Sequence, residues 1–141
     1  MGPGFFLPLL HIQKFIFDMI PPFEIQIDEE NELIVVEFHA GQDSYQIRMQ
    51  CIEHMEAANK GANYSRLIID LRKIIRPMEL INQFTIGEKV VNSQLHSMKT
   101  AVIHNVSGGN PNDVITLVSG NRGRLIKNFL DKTEAIEWLK S

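Results

Sequence analysis

Leu67-Ile68-Ile69-Asp70-Leu71 is the stretch on which the fold turns. It is a short continuous apolar run, and polar residues flank it: Tyr64-Ser65-Arg66 before, Arg72-Lys73 after. A run of this length bounded by polar chain reads as a buried strand. Working outward toward the C-terminus, Pro77 suits the first turn of a helix, where its missing N–H costs nothing. Met78, Ile81, Phe84, Val91 and Leu95 line that helix. Ala101-Val102-Ile103 is a second buried-type strand, and Ser107–Asn112 is a loop rich in Gly, Pro and Asn. Pro111-Asn112-Asp113 opens a short helix that ends near Gly120, and Leu125–Phe129 is the last strand. Asp131 with Glu134 forms a capping box for a final helix carrying Ala135, Ile136, Trp138 and Leu139.

Toward the N-terminus, Asp43 and Gln46 form another capping box, and a helix runs from there to about Lys60. Ile47, Cys51, Met55 and Ala58 make its apolar stripe, and Gly61 is a natural stop. Before it, Phe23, Ile25 and Ile27 alternate with polar residues, Asp28–Asn31 is a polar turn, and Leu33–Phe38 is β-branched and apolar. These two segments form a hairpin. The order is β-β-α-β-α-β-α-β-α. It predicts an α/β fold: a mostly parallel or mixed five-stranded sheet with an initial β-hairpin and packed helices. The reading gives one α/β domain over residues 23–141, preceded by an extension at 1–22.

Composition agrees with a folded domain. The chain has 141 residues, 44% hydrophobic and 22% charged, values that argue against disorder. A chain of this size buries roughly two-thirds of its unfolded surface, so it builds a core without staples. The net charge of -3 argues against a general nucleic-acid binder, which carries a basic excess. The single cysteine, Cys51, excludes an internal disulfide and suits a reducing, cytoplasmic setting. Asn63-Tyr64-Ser65 and Asn105-Val106-Ser107 match the glycosylation sequon by chance.

The extension reads differently. Phe5-Phe6-Leu7-Pro8-Leu9-Leu10 is apolar but broken by a proline, and Leu9, Ile12, Ile16, Met19 and Ile20 recur near helical spacing. Pro21-Pro22 stops any helix there. The segment lacks the basic start and small-residue site of a signal peptide. His11, Gln13, Lys14 and Asp18 interrupt it, whereas a membrane span needs about 20 mostly apolar residues. A docking or dimerising helix is the leading expectation. An interfacial membrane helix and a start codon placed too far upstream are the alternatives.

Three segments carry a resemblance. Leu67–Leu71 looks like a central strand ending in Asp-Leu, and Lys99-Thr100-Ala101-Val102-Ile103 is similar to the strand that follows it. Phe129 followed by Glu134-Ala135-Ile136-Glu137-Trp138-Leu139 is similar to a closing Phe, Glu-Ala, Trp-Leu pattern. With the element order, residues 23–141 resemble the anti-sigma-factor-antagonist-like STAS group, including its broader SEC14-like set. The resemblance implies a module that works by binding. Its classical members are switched by phosphorylation where the central strand meets the next helix, placing charge at a helix N-terminus. Here Arg72 to Pro77 contains no hydroxyl, and none follows until Thr85, so no phosphosite is carried over.

Candidate chemistry is sparse. Arg72, Lys73 and Arg76 lie past a strand's C-terminal end, the edge where open α/β sheets bind ligands, and form a candidate anion site. Gly108 and Gly109 lie in a strand-to-helix loop that could admit a phosphate, though it lacks the P-loop pattern. Arg122 and Arg124 read as a charged turn, and Glu29-Glu30 as a solvated one. His11, His39, His54, His96 and His104 lack the spacing of a helical zinc site, so no metal or cofactor is expected. Cys51 reads as a buried structural thiol and Trp138 as core. No catalytic set assembles in the sequence. The expected function is therefore a non-enzymatic binding or regulatory module acting through a protein partner, with homodimerisation possible. The alternative is a domain that binds a small acidic molecule or a lipid.

Overall fold

A computed structural model describes residues 21–39, 41–106 and 109–141. The expected docking helix falls on residues 1–20, outside the described residues, and so does Gly108. The chain runs β1 (Phe23–Asp28), β2 (Leu33–Phe38), α1 (Tyr45–Ala62), β3 (Arg66–Asp70), α2 (Leu80–Val91), β4 (Lys99–Ile103), α3 (Asp113–Asn121), β5 (Ile126–Phe129) and α4 (Lys132–Lys140). A 3-10 turn, Gln94–Ser97, follows α2. The five strands form one sheet in the order β1-β2-β3-β4-β5. β1 and β2 are antiparallel and every other pair is parallel. The α/β class and mixed sheet are as the sequence predicts.

The hairpin closes through Asp28, whose carboxylate accepts the Asn31 backbone N–H at 3.0 Å and its side-chain amide at 2.8 Å. Alternation along the strands then divides the core. Ile34, Val36, Leu67, Ile69 and Val102 point to the face covered by α1, α2 and α3, where they meet Cys51, Met55, Ile86, Val90 and Ile115. Leu33, Val35, Ile68, Ala101 and Ile103 point to the other face and meet Ala135 and Leu139 of α4. β3 is buried on both faces, which explains its unbroken apolar run. Trp138 is partly buried at the edge of this second cluster, its ring 5.5 Å from Phe129.

Local signals held in kind and shifted in place. α1 is capped by Ser44, whose hydroxyl accepts the Ile47 N–H at 3.1 Å, not by Asp43. Asp43 is drawn inward by Arg48 instead. The helix stops at Asn63 in the left-handed region, φ 53°, two residues past Gly61. Asn59 stabilises that stop, because its side chain both donates to and accepts from the Tyr64 backbone. Pro77 precedes α2 rather than opening it, since backbone bonds from Ile75 and Arg76 to the Gly41 carbonyl keep this chain extended. Asp131 caps α4 as expected, accepting the N–H groups of Thr133 and Glu134.

The largest departure concerns α2. Gln83, Ile86, Gly87 and Val90 form its buried face. Met78 and Leu95 are buried as expected, but Ile81 and Phe84 are 66% and 47% exposed. A helix with apolar residues on two faces has an ambiguous period, and the wrong face was legible.

Candidate functional site

Two regions stand out, one on the outside near the C-terminal end of β3 and one inside, between the helices and the sheet. The outer one includes the expected anion site. Arg72 grips Asp70 with two bonds, Nε to Oδ1 at 3.0 Å and Nη2 to Oδ2 at 2.7 Å. Burial raises the Asp70 carboxyl, but side-chain and backbone bonds from Arg72 outweigh it and leave the pKa below the ordinary value. The same bonds raise Arg72 above the usual guanidinium. Lys73 Nζ lies 3.0 Å from Glu37, and His39 sits beside it. Two of the three cations are thus neutralised within the fold. Arg76 is exposed and joins no ion pair among the described residues. Gly109 is exposed with φ 80°, a left-handed turn that glycine suits, and a Cβ there would meet nothing within 4 Å among the described residues.

Beside this loop, α2 presents an apolar front. Ile75 is 80% exposed, Leu80 68% and Ile81 66%. Leu80 and Phe84 stand one turn apart, and Ile81 and Phe84 three residues apart, so these side chains are neighbours. The opposite face packs so closely on α3 that a Cβ on Gly87 would lie 2.9 Å from Val118 Cβ. Gln83 fixes the same pair of helices, donating to the Met78 carbonyl at 3.2 Å and accepting the Val114 N–H at 3.3 Å.

No protein-family model matches the chain, and no curated protein is significantly similar to it.

Inside, a cavity lies between α1, α2, α3 and the sheet. It offers about 20 Å³ to the centre of a water molecule. Phe38, Cys51, Ile86 and Ile115 line it together with Arg48, Asn112 and Arg124. Arg48 is buried and fully engaged. Nε and Nη2 bond Asp43 at 2.9 and 2.8 Å, and Nη1 bonds Asn112 Oδ1 at 2.9 Å. Its guanidinium also stands 5.0 Å over the Phe38 ring. Asn112 continues the chain to Thr116, and Thr116 to Asn128.

Arg124 corrects the reading of a charged turn. Arg122 fits it, pairing with Glu88 at 2.6 Å on the surface, but Arg124 is 5% exposed. Gly123 at φ 91° reverses the chain after α3 and sends the next side chain inward. Arg124 Nη2 then bonds Thr100 Oγ1 at 2.8 Å. Burial lowers its pKa to about 10. Cys51 is the other perturbed group here: burial raises its thiol to about 12, which keeps it protonated and unreactive.

The sequence pointed to the cations of the outer region, but not to the open front of α2 or to the interior network. Arg48 carried the one available signal, since it occupies a core position in the 48/51/52/55 pattern of α1. Among the described residues, no three His, Cys, Asp or Glu side chains converge in a way that could hold a metal ion. No helix among them is long and apolar enough to cross a membrane.

Proposed function

We propose that this chain is a cytoplasmic, STAS-like binding module that acts through a protein partner laid against the front of α2. One observation carries the reading: Leu80, Ile81 and Phe84 are open on a helix whose other face is tightly packed. Apolar side chains clustered this way mark interaction surfaces more often than chance exposure does. Ile75 and Arg76, which joins no ion pair among the described residues, lie at the adjoining loop, so the complementary partner brings apolar side chains and a carboxylate. The support from resemblance lies in the same place, because α2 follows the central Asp-Leu strand.

A photo-activatable phenylalanine analogue at position 84 tests this in cells. The expected product is a discrete adduct with one polypeptide, lost when Ile81→Asp is added. Sedimentation of the purified complex distinguishes a second copy of this chain from a different protein. Absence of any adduct at 84, or adducts forming equally at exposed Leu117 of α3, would sink the assignment.

A further inference from the structure

The internal cavity has an unequal wall. Most of it is apolar, contributed by Ile52, Met55, Ile86, Val90 and Leu95. Arg48 and Arg124 interrupt it, and the circumstances of their guanidiniums differ. Arg48 has the Asp43 carboxylate as its counter-charge. Arg124 has the neutral Thr100 hydroxyl, and its Nε has no acceptor among the described residues. Nor does any carboxylate there form an ion pair with it. A guanidinium removed from water without a counter-charge is among the costliest arrangements in a folded interior. Its lowered pKa, about 10, still leaves it charged at neutral pH.

The space beside it sets the size of what could answer that charge. About 20 Å³ for a water centre admits one water-sized particle. A lipid tail or a nucleotide is far too large. A water would satisfy Nε and leave the charge uncompensated. An anion of similar size does both. The apolar remainder of the wall disfavours strongly hydrated, multivalent anions such as sulfate, which lose more on leaving water.

We propose that this cavity is a binding site for one small monovalent inorganic anion of halide size, held against the Arg124 guanidinium. The site is independent of the partner surface on α2. Its wall joins α1, α2, α3 and the turn into β5, so an occupant ties together the layer that carries that surface.

Crystals of the full chain soaked in sodium bromide give the direct test. An anomalous bromine peak in the cavity, against Arg124, is the expected result. A cavity with no anomalous signal, or bromide only at surface lysines, overturns the proposal. Thermal melts supply a second reading, in sodium chloride against sodium gluconate at equal ionic strength. Above saturation, each tenfold rise in chloride should raise the Tm by about 4 °C through mass action. The rise should be absent in gluconate and in Arg124→Met. An equal rise in gluconate, or one retained in Arg124→Met, overturns the proposal. Should Arg124→Met fail to fold, the bromide map on the native chain decides alone.

Discussion

The layer of helices over the sheet keeps charge inside and apolar surface outside. Within it, the Asp43–Arg48–Asn112 chain and Arg124 occupy positions that ordinary packing would give to Leu or Met. On its outer side, Leu80, Ile81 and Phe84 face solvent. The two regions lie on opposite sides of α2, and the contrast is informative. Both depart from the rule that greasy residues go in and charges stay out. Departures of this kind concentrate where a chain serves something besides its own stability. They differ in cost, however. An exposed leucine forgoes burial, whereas a buried charge must be matched or it destabilises the fold.

The sharpest way to break the comparison is to remove the match. Asp43→Ala leaves the Arg48 guanidinium buried and unpaired, and should lower stability by about 3–5 kcal/mol in urea denaturation. Replacing both partners, Asp43→Leu with Arg48→Met, should recover most of that loss, because the desolvation cost leaves with the charges. A single substitution that costs under about 1 kcal/mol would place the pair within reach of water and collapse the distinction drawn here.

Gly87→Ala probes the two faces of α2 directly. The added methyl would press on Val118 of α3 at 2.9 Å, inside any normal contact. Overpacking should outweigh the helix-propensity gain and cost about 1–2 kcal/mol. Ile81→Ala, on the open face, should cost far less. Equal losses at both positions would mean that the outer face is also part of the core.

Arg124→Met should act in the opposite direction. In halide-free buffer it removes an unmatched buried charge and should raise stability by about 1 kcal/mol. The pH dependence has a definite sign. Burial holds Arg124 at about 10 in the folded chain, well below an ordinary arginine. Between these values the unfolded chain binds the extra proton, so the native protein gains stability as pH rises. The variant's advantage should therefore hold below about pH 10 and shrink as the pH rises from there toward the ordinary arginine value. A difference that stays constant across that window would show that Arg124 is solvated.

What the sequence disclosed follows from the range of each interaction. Leu67–Ile69 of β3 and Ala101–Ile103 of β4 are continuous apolar runs buried on both faces, so their character is local and legible. The caps were nearly so, and the miss at Asp43 came from a partner five residues on that a local rule does not weigh. α2 was misread because its buried face includes Gln83 and Gly87, while Ile81 and Phe84 lie outside. The interior network was invisible for a different reason. Arg48 meets Asn112 across 64 residues, and Arg124 meets Thr100 across 24. No spacing rule encodes such pairs. Of the expected anion cluster, the sequence placed Arg72 and Lys73 at the right edge but could not show that Asp70 and Glu37 already hold them.

The smallest expected effect on stability falls at the outer face, and there the functional effect should be largest. Phe84→Ser removes an apolar ring that is 47% exposed and touches little of the core. Its stability change should stay within about 0.5 kcal/mol, the range of ordinary surface substitutions. Partner capture through α2 should nevertheless fall at least tenfold, since aromatic anchors at interface centres carry a disproportionate share of binding energy. Chemical denaturation and a titration with the cross-linked partner measure the two quantities on the same protein. Affinity unchanged while stability drops would assign Phe84 to packing. The front of α2 would then be an unremarkable piece of surface, and the reading of an interior built for one role and an exterior for another would fail at its outer half.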